Sequence, residues 1–350
     1  MIRPSGRKKV FLDEVILHLS FISHSILGNY CRLGLIALSN YPNAYIRPTT
    51  ALWANVVACI IMGIVSGLNI VGWFENHAHF YACLTVGLAG STSSFSTMMI
   101  EVFDHSMQLT PNTAGKFPNK AYGIMEFLSV LLTHLLMSMS ALIFGRKIAQ
   151  DLLAKYFQKP LKTENEEISS LEFKREVVVD KIFKIDIYAT ALLCIPILAT
   201  LITLACVYSN YSRGDWTLPA LFGIFGSYLR WILSKKFNPR IKYFPLGTFI
   251  ANIFATLVLA ILNIVQRGNS GSHNHHPIIG SYNTCLVISA LGSGFCGGLS
   301  TTSTFINEAY SMPFLCTMFY YITSVALSYS LIVITLGSYA WTKGLTAGVC

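Results

Sequence analysis

The sequence predicts an all-α polytopic membrane protein, with two four-helix repeats, inverted relative to each other, joined by a linker helix. Three observations carry this. Of 350 residues, 53% are hydrophobic and only 12% charged, against about 25% charged in a soluble domain. Uncharged apolar stretches repeatedly reach the ~20 residues needed to cross ~30 Å of hydrocarbon. Finally, polar landmarks of the first half return in the second: Arg32 and Arg230 lie 198 apart, and Asn55 and Asn252 lie 197 apart.

In order, the spans are 15–38, 49–71, 80–107, 121–145, 185–207, 216–233, 245–265, 282–310 and 313–338. Residues 1–145 form the first repeat and 146–184 a charged connector with KTENEEISS at its centre. Residues 185–207 are the linker helix and 208–350 the second repeat. Five spans separate equivalent points, so the two repeats must insert upside down. Charge agrees. With a cytosolic N-terminus and an outer C-terminus, inner segments carry 17 Lys and Arg and outer segments six, as the positive-inside bias requires. No cleavable signal peptide is expected, because the first apolar segment is long and lacks a small-residue cleavage site.

The eighth span holds Gly294-Phe-Cys-Gly-Gly-Leu-Ser-Thr-Thr-Ser-Thr-Phe-Ile-Asn-Glu308. Glycines and clustered hydroxyls there invite the backbone to leave the helix at bilayer depth, which membranes tolerate only inside protein or beside a wet cavity. The alternative is close helix packing through small residues. The third span repeats the stretch 207 residues earlier, matching at Gly87/Gly294, Gly90/Gly297, Ser93/Ser300, Ser96/Ser303, Thr97/Thr304 and Glu101/Glu308. That favours a broken helix in each repeat.

Asn55 and Asn252 are either interhelical glue or pore donors whose amides replace water around an anion; their matched placement favours the second. Phe95 and Phe305 lie among hydroxyls, and a ring edge carries partial positive charge that an anion could pass. Arg32 and Arg230 either snorkel to headgroups or fix charge in a vestibule. Glu101, Glu126 and Glu308 are costly in hydrocarbon, and bonding to nearby hydroxyls is expected of them rather than proton coupling. His273, His275 and His276 read as a solvated loop, and His77 and His79 as interfacial. Asn210 opens a glycosylation sequon close to the linker helix. The nine cysteines show no disulfide framework and are expected to be buried free thiols. The basic residues do not cluster as a nucleic-acid surface.

The 294–305 stretch, the Gly-x-x-x-Arg of the sixth span and Pro245-Leu-Gly-Thr-Phe-Ile-Ala-Asn252 together resemble the fluoride channel family. Its small four-span members pair antiparallel, and its eukaryotic exporters look like two such units joined by one helix. The resemblance implies a structural sodium ion held by backbone carbonyls at Gly90, Ser93, Gly297 and Ser300. It implies pore roles for Asn55 and Asn252, vestibule roles for Arg32 and Arg230, and hydroxyl tracks drawing on Thr133, Ser324 or Ser328. This chain departs from the family's paired phenylalanines. The first repeat has Phe95 then Met98, and the second Thr302 then Phe305. Each family pore looks built from the first Phe of one unit and the second of the other, so one working and one degenerate conduit are expected.

The reading is therefore a fluoride channel of the plasma membrane, working as a monomeric pseudo-dimer within the lipid bilayer, with no organic cofactor and no enzyme chemistry. Neither a P-loop nor a nucleophile–base constellation is present. A proton-coupled anion transporter using Glu101 or Glu308 is the first rival. A lipid-modifying enzyme using the histidines is the second.

Overall fold

The computed structural model describes residues 4–42, 46, 49–70, 74, 77–109, 117–153, 170–207, 213–270 and 276–350. Asn210, His273, His275 and the centre of the connector lie outside them. Among the described residues the protein is helical, with only isolated bridges where the segment after Arg267 meets Pro277 and the C-terminal tail.

The helices are α1 (Pro4–Leu38), α2 (Leu52–Ile70), α3 (Ala78–Ala82), α4 (Gly90–Thr92), α5 (Phe95–Ser106), α6 (Ala121–Lys147) and α7 (Ser170–Val207). Then come α8 (Leu218–Phe237), α9 (Leu246–Arg267), α10 (Tyr282–Ala290), α11 (Gly297–Leu299), α12 (Thr302–Tyr310), α13 (Phe314–Ile332) and α14 (Ser338–Thr342). π-helical turns Cys83–Ala89 and Leu291–Cys296 join α3 to α4 and α10 to α11. Seven helical stretches among the described residues are long and apolar enough to cross a membrane. Two further expected spans fail that measure for visible reasons. The third is diluted by its hydroxyls, Ser91, Thr92, Ser93, Ser94, Ser96 and Thr97, and α8 carries Arg230, Lys235 and Lys236. The chain is thus a polytopic all-α membrane protein. Both ends of the connector are helical: helix runs on from α6 through Leu153, and α7 begins at Ser170, fifteen residues before position 185.

The broken helices occupy the centre, with α1 and α8 against their first halves. Gly28 and Gly226 make that contact possible. A Cβ on Gly28 would lie 2.5 Å from the Leu88 carbonyl, and one on Gly226 2.3 Å from the Phe295 carbonyl. Linker helix α7 stands at the periphery against α1. There Ser20 and Thr190 hydroxyls meet at 2.8 Å, the Ser23 hydroxyl donates to the Thr190 carbonyl at 2.8 Å, and His24 faces Asp186 at 3.4 Å. His77, 2.8 Å from Asp180, ties the start of the third span to the same helix.

One expectation fails outright. Cys285 and Cys350, read as free thiols, form a disulfide across 65 residues of sequence. Their sequence spacing gave no sign of it, because the tail folds back: Thr346 N–H donates to the Arg267 carbonyl and Asn269 N–H to Gly344. Proteolysis of unreduced protein should release one peptide pair joined through Cys285 and Cys350, which separates on reduction. Two free thiols at these positions would contradict the fold of the tail. Cys350→Ser should cost about 2 kcal/mol in thermal unfolding, the low end of the disulfide range, since spans already restrain the loop.

Candidate functional site

Each broken helix stops at a serine in extended conformation and restarts two residues later, at Phe95 and at Thr302. Ser93 (φ −91°, ψ 158°) and Ser94 (φ −145°, ψ 114°) match Ser300 (φ −81°, ψ 155°) and Thr301 (φ −152°, ψ 126°). The glycines of the stretch do not make the break. Gly294, Gly297 and Gly298 stay helical and serve close approach instead, with a Cβ on Gly294 falling 2.4 Å from the Pro219 carbonyl. Hydroxyls make the break, since Ser and Thr side chains compete for backbone bonds.

A helix interruption frees backbone donors and acceptors that hydrocarbon cannot satisfy. Here seven N–H groups around the breaks, those of Ser94, Ser96, Thr97, Thr301, Thr302, Ser303 and Thr304, find side-chain partners, and three of these bonds cross between halves. Ser93 Oγ accepts from the Thr302 and Ser303 N–H groups at 3.2 and 3.1 Å and meets Ser303 Oγ at 3.0 Å. Reciprocally, Ser300 Oγ accepts from Ser96 N–H at 3.1 Å and meets Ser96 Oγ at 2.8 Å. Ser94 and Thr301 cap the restarted helices by accepting from Thr97 and Thr304 N–H. All these hydroxyls except those of Thr97 and Thr304 belong to fully buried residues.

Asn55 and Asn252 clasp the breaks from the side. Each side-chain carbonyl accepts the N–H of the restarting residue, Asn55 from Ser94 at 2.9 Å and Asn252 from Thr301 at 2.8 Å. Each amide nitrogen donates back to the same residue's carbonyl, at 3.5 and 3.2 Å. The amides thus act as a peptide group in trans. An amide has two N–H bonds; that of Asn55 also faces His134 Nδ1 at 3.3 Å.

Glu101 and Glu308 bind hydroxyls and helix starts. Glu101 accepts from Ala51 N–H at 2.6 Å and Thr50 Oγ1 at 2.9 Å, with His134 Nε2 at 3.2 Å. Glu308 accepts from Thr248 Oγ1 at 2.7 Å, Asn238 Nδ2 at 2.8 Å and Tyr320 OH at 3.2 Å. Glu126 lies apart, 3.5 Å from His105. Arg32 and Arg230 do not snorkel; they are 2% and 1% exposed. Arg32 donates to the carbonyls of Ser91 and Ser293 and to Asn29 Oδ1. Ser293 also lines a cavity of about 390 Å³ shared with Asn40, Asp215 and Ser289, so Arg32 sits behind the wall of that cavity. Arg230 donates to the carbonyls of Gly90 at 2.8 Å, Ser300 at 3.1 Å and Val86 at 2.6 Å. Two of the four carbonyl positions expected to hold sodium therefore already have a donor.

The two sides of the crossing differ. Phe95 and Phe305 are fully buried and meet edge to face, centroids 5.1 Å apart, and Phe305 also packs on Tyr320 and Tyr321 of α13. On the same α13, Ser324 and Ser328 are buried one helical turn apart with hydroxyls that have no partner. Thr133, expected on a matching track, is exposed on the outside of α6; His134 and Ser138 take the interior. Sequence reasoning missed His134. Its contact with Glu101 parallels that of Tyr320 with Glu308, which aligns Ser138 with Ser324 and Leu142 with Ser328. The first-repeat pair α2 and α6 is also closed backbone to backbone. A Cβ on Gly63 would lie 2.3 Å from the Leu142 carbonyl, and one on Gly145 2.3 Å from that of Ile60. Met98 and Thr302 are fully buried, Thr302 with an unpaired hydroxyl. No cluster of metal-ligating side chains is found among the described residues.

Comparison with known proteins fits this duplicated architecture. The family described as CrcB-like protein, Camphor Resistance (CrcB), matches twice, over residues 19–146 and 217–337. The chain is 45% identical to fluoride export protein 1 of Saccharomyces cerevisiae over 355 aligned positions, covering 95% of each chain. To fluoride export protein 2 of that yeast it is 44% identical, with the same coverage. To the fluoride-specific ion channel FluC of Escherichia coli it is 39% identical over 83 residues, which is 24% of this chain and 57% of the relative. No solved structure matches. The two matches together span both broken helices and their clasps, and on that ground the chain belongs to the CrcB-like family.

Proposed function

We infer that the protein is a fluoride channel that lets F⁻ leave the cytosol down its electrochemical gradient, through one working lane. The lane runs between α5, α9 and α13, past Phe95, Phe305, Asn252, Ser324 and Ser328. One observation carries this reading: α13 has two buried hydroxyls without partners, Ser324 and Ser328, where α6 has one, Ser138. An unsatisfied buried polar group costs about 1–3 kcal/mol, and a passing anion that accepts from hydroxyls would supply what the protein does not. The relatives' names supply the ion. The opposite lane, between α2, α6 and α12, is the degenerate one, with Leu142 in place of a hydroxyl and α2 zipped against α6.

The chain is read as two inverted four-span repeats around α7, nine spans in all, with α8 and the split third helix added to the seven long ones. Support comes from the double family match, the paired breaks and the Lys and Arg distribution. The same distribution supports a cytosolic N-terminus and an outer C-terminus in the plasma membrane, and on this reading the fused repeats let a monomer suffice. The proton-coupled alternative is disfavoured because Glu101 and Glu308 are engaged in holding helix starts. The enzyme alternative loses His77 to its pairing with Asp180.

Purified protein in liposomes should release fluoride as a current that follows voltage and ignores an imposed pH gradient. Flux that needs a proton gradient would sink the channel reading. Phe95→Ala or Phe305→Ala should lower flux at least 100-fold, whereas Met98→Leu and Thr302→Val keep it within about threefold; equal sensitivity at all four would reject a single lane. Ser324→Ala with Ser328→Ala should cost at least tenfold in flux, and Thr133→Ala nothing. Asn55→Ala and Asn252→Ala should each lower stability by about 1–3 kcal/mol, as a buried clasp is lost.

A further inference from the structure

The centre of the crossing already contains positive charge. Arg230 Nη1 joins carbonyls from both halves, Gly90 at 2.8 Å and Ser300 at 3.1 Å, while Nη2 reaches Val86 and the Ser91 hydroxyl. Arg32, from the other repeat, donates to Ser91 and Ser293 carbonyls. Both guanidiniums lie flat against the glycines of the broken helices. A Cβ on Gly90 would meet Arg230 Nη2 at 2.6 Å, and one on Gly297 would meet Arg32 Cζ at 2.6 Å. Neither arginine takes part in the ion pairs found among the described residues. Two cations are thus held by neutral oxygens alone, mostly backbone carbonyls of the broken helices, with Asn29 Oδ1 and the Ser91 hydroxyl beside them.

We propose that the Arg230 guanidinium, seated on Gly90 and Ser300 with Arg32 alongside, is the resident cation of this crossing, so that the chain is assembled and conducts without bound sodium. A guanidinium is always charged and is covalently part of the chain. A hard cation needs several oxygens to itself, and two of those expected for it are taken. It would also sit beside two like charges in a medium of low dielectric, where repulsion is strong. The conserved chemistry is then a positive charge against the carbonyls of the break, supplied from α8 rather than from solution.

The test uses the purified full chain. Its thermal midpoint is measured in sodium, potassium and N-methylglucamine salts, and fluoride efflux from liposomes is measured in the same salts with sodium removed on both sides. The expected result is no sodium-specific rise in the midpoint and efflux equal within twofold. A saturable rise in midpoint with sodium but not potassium, or a tenfold loss of efflux that sodium restores, would overturn the proposal. Arg230→Gln opens the seat and should lower the midpoint and gain a sodium-specific stabilisation that the unmodified chain lacks. An Arg230→Gln protein matching the unmodified chain in midpoint and in sodium-free efflux would also overturn it, because the charge would then do nothing. The thermal readout involves no transport, so it stands or falls separately from the fluoride reading.

Discussion

The structure depends on a single reciprocal contact: each interrupted helix is completed by a serine of the other. Ser93 receives the first N–H groups of the helix that begins at Thr302, and Ser300 receives the Ser96 N–H of the helix that begins at Phe95. Unwound backbone at bilayer depth is prohibitive without partners, and neither half can supply enough of its own. The two halves are therefore obligatory to each other, and fusing them in one chain guarantees that they meet. Everything nearby extends the same accounting. Asn55 and Asn252 satisfy the restarting residues, Arg230 satisfies carbonyls, and Gly28 and Gly226 let α1 and α8 approach closely enough to enclose the site.

From this near-symmetric frame the function grows through departures from symmetry. The first repeat closes α2 onto α6 through Gly63 and Gly145, and fills one hydroxyl position with Leu142. The second repeat leaves Ser324 and Ser328 unpaired beside a Phe95–Phe305 edge contact. On the proposed reading, a lane of hydroxyls framed by ring edges suits a small, strongly hydrated anion, because these groups replace its water without binding it as tightly as a lysine would. The buried arginines are engaged with backbone carbonyls of the broken helices.

Much of this was legible in the sequence, because the repeat writes itself in rare residues. An Arg, an Asn and a Glu within apolar spans are costly enough that their recurrence at matched spacing signals one architecture used twice. The break was legible too, from glycines and clustered hydroxyls together, of which only the hydroxyls mark where the chain unwinds. Gly294, Gly297 and Gly298 remain helical, and the extended residues are Ser300 and Thr301. Other features were hidden because they arise from distance in space. The Cys285–Cys350 bond needs the tail to return over α9. His134 takes its place only through helix rotation, which turns neighbouring Thr133 outward. The donors on the central carbonyls could not be read from spacing, since Arg230 comes from another span.

The reciprocal clasp is most directly tested by a double-mutant cycle on Ser96→Ala and Ser300→Ala, read as thermal stability of the purified protein. Their hydroxyls meet at 2.8 Å between halves, so the two changes should be strongly non-additive, with a coupling of about 1 kcal/mol or more. Additivity within about 0.3 kcal/mol, the behaviour of independent sites, would mean that the two breaks do not complete each other.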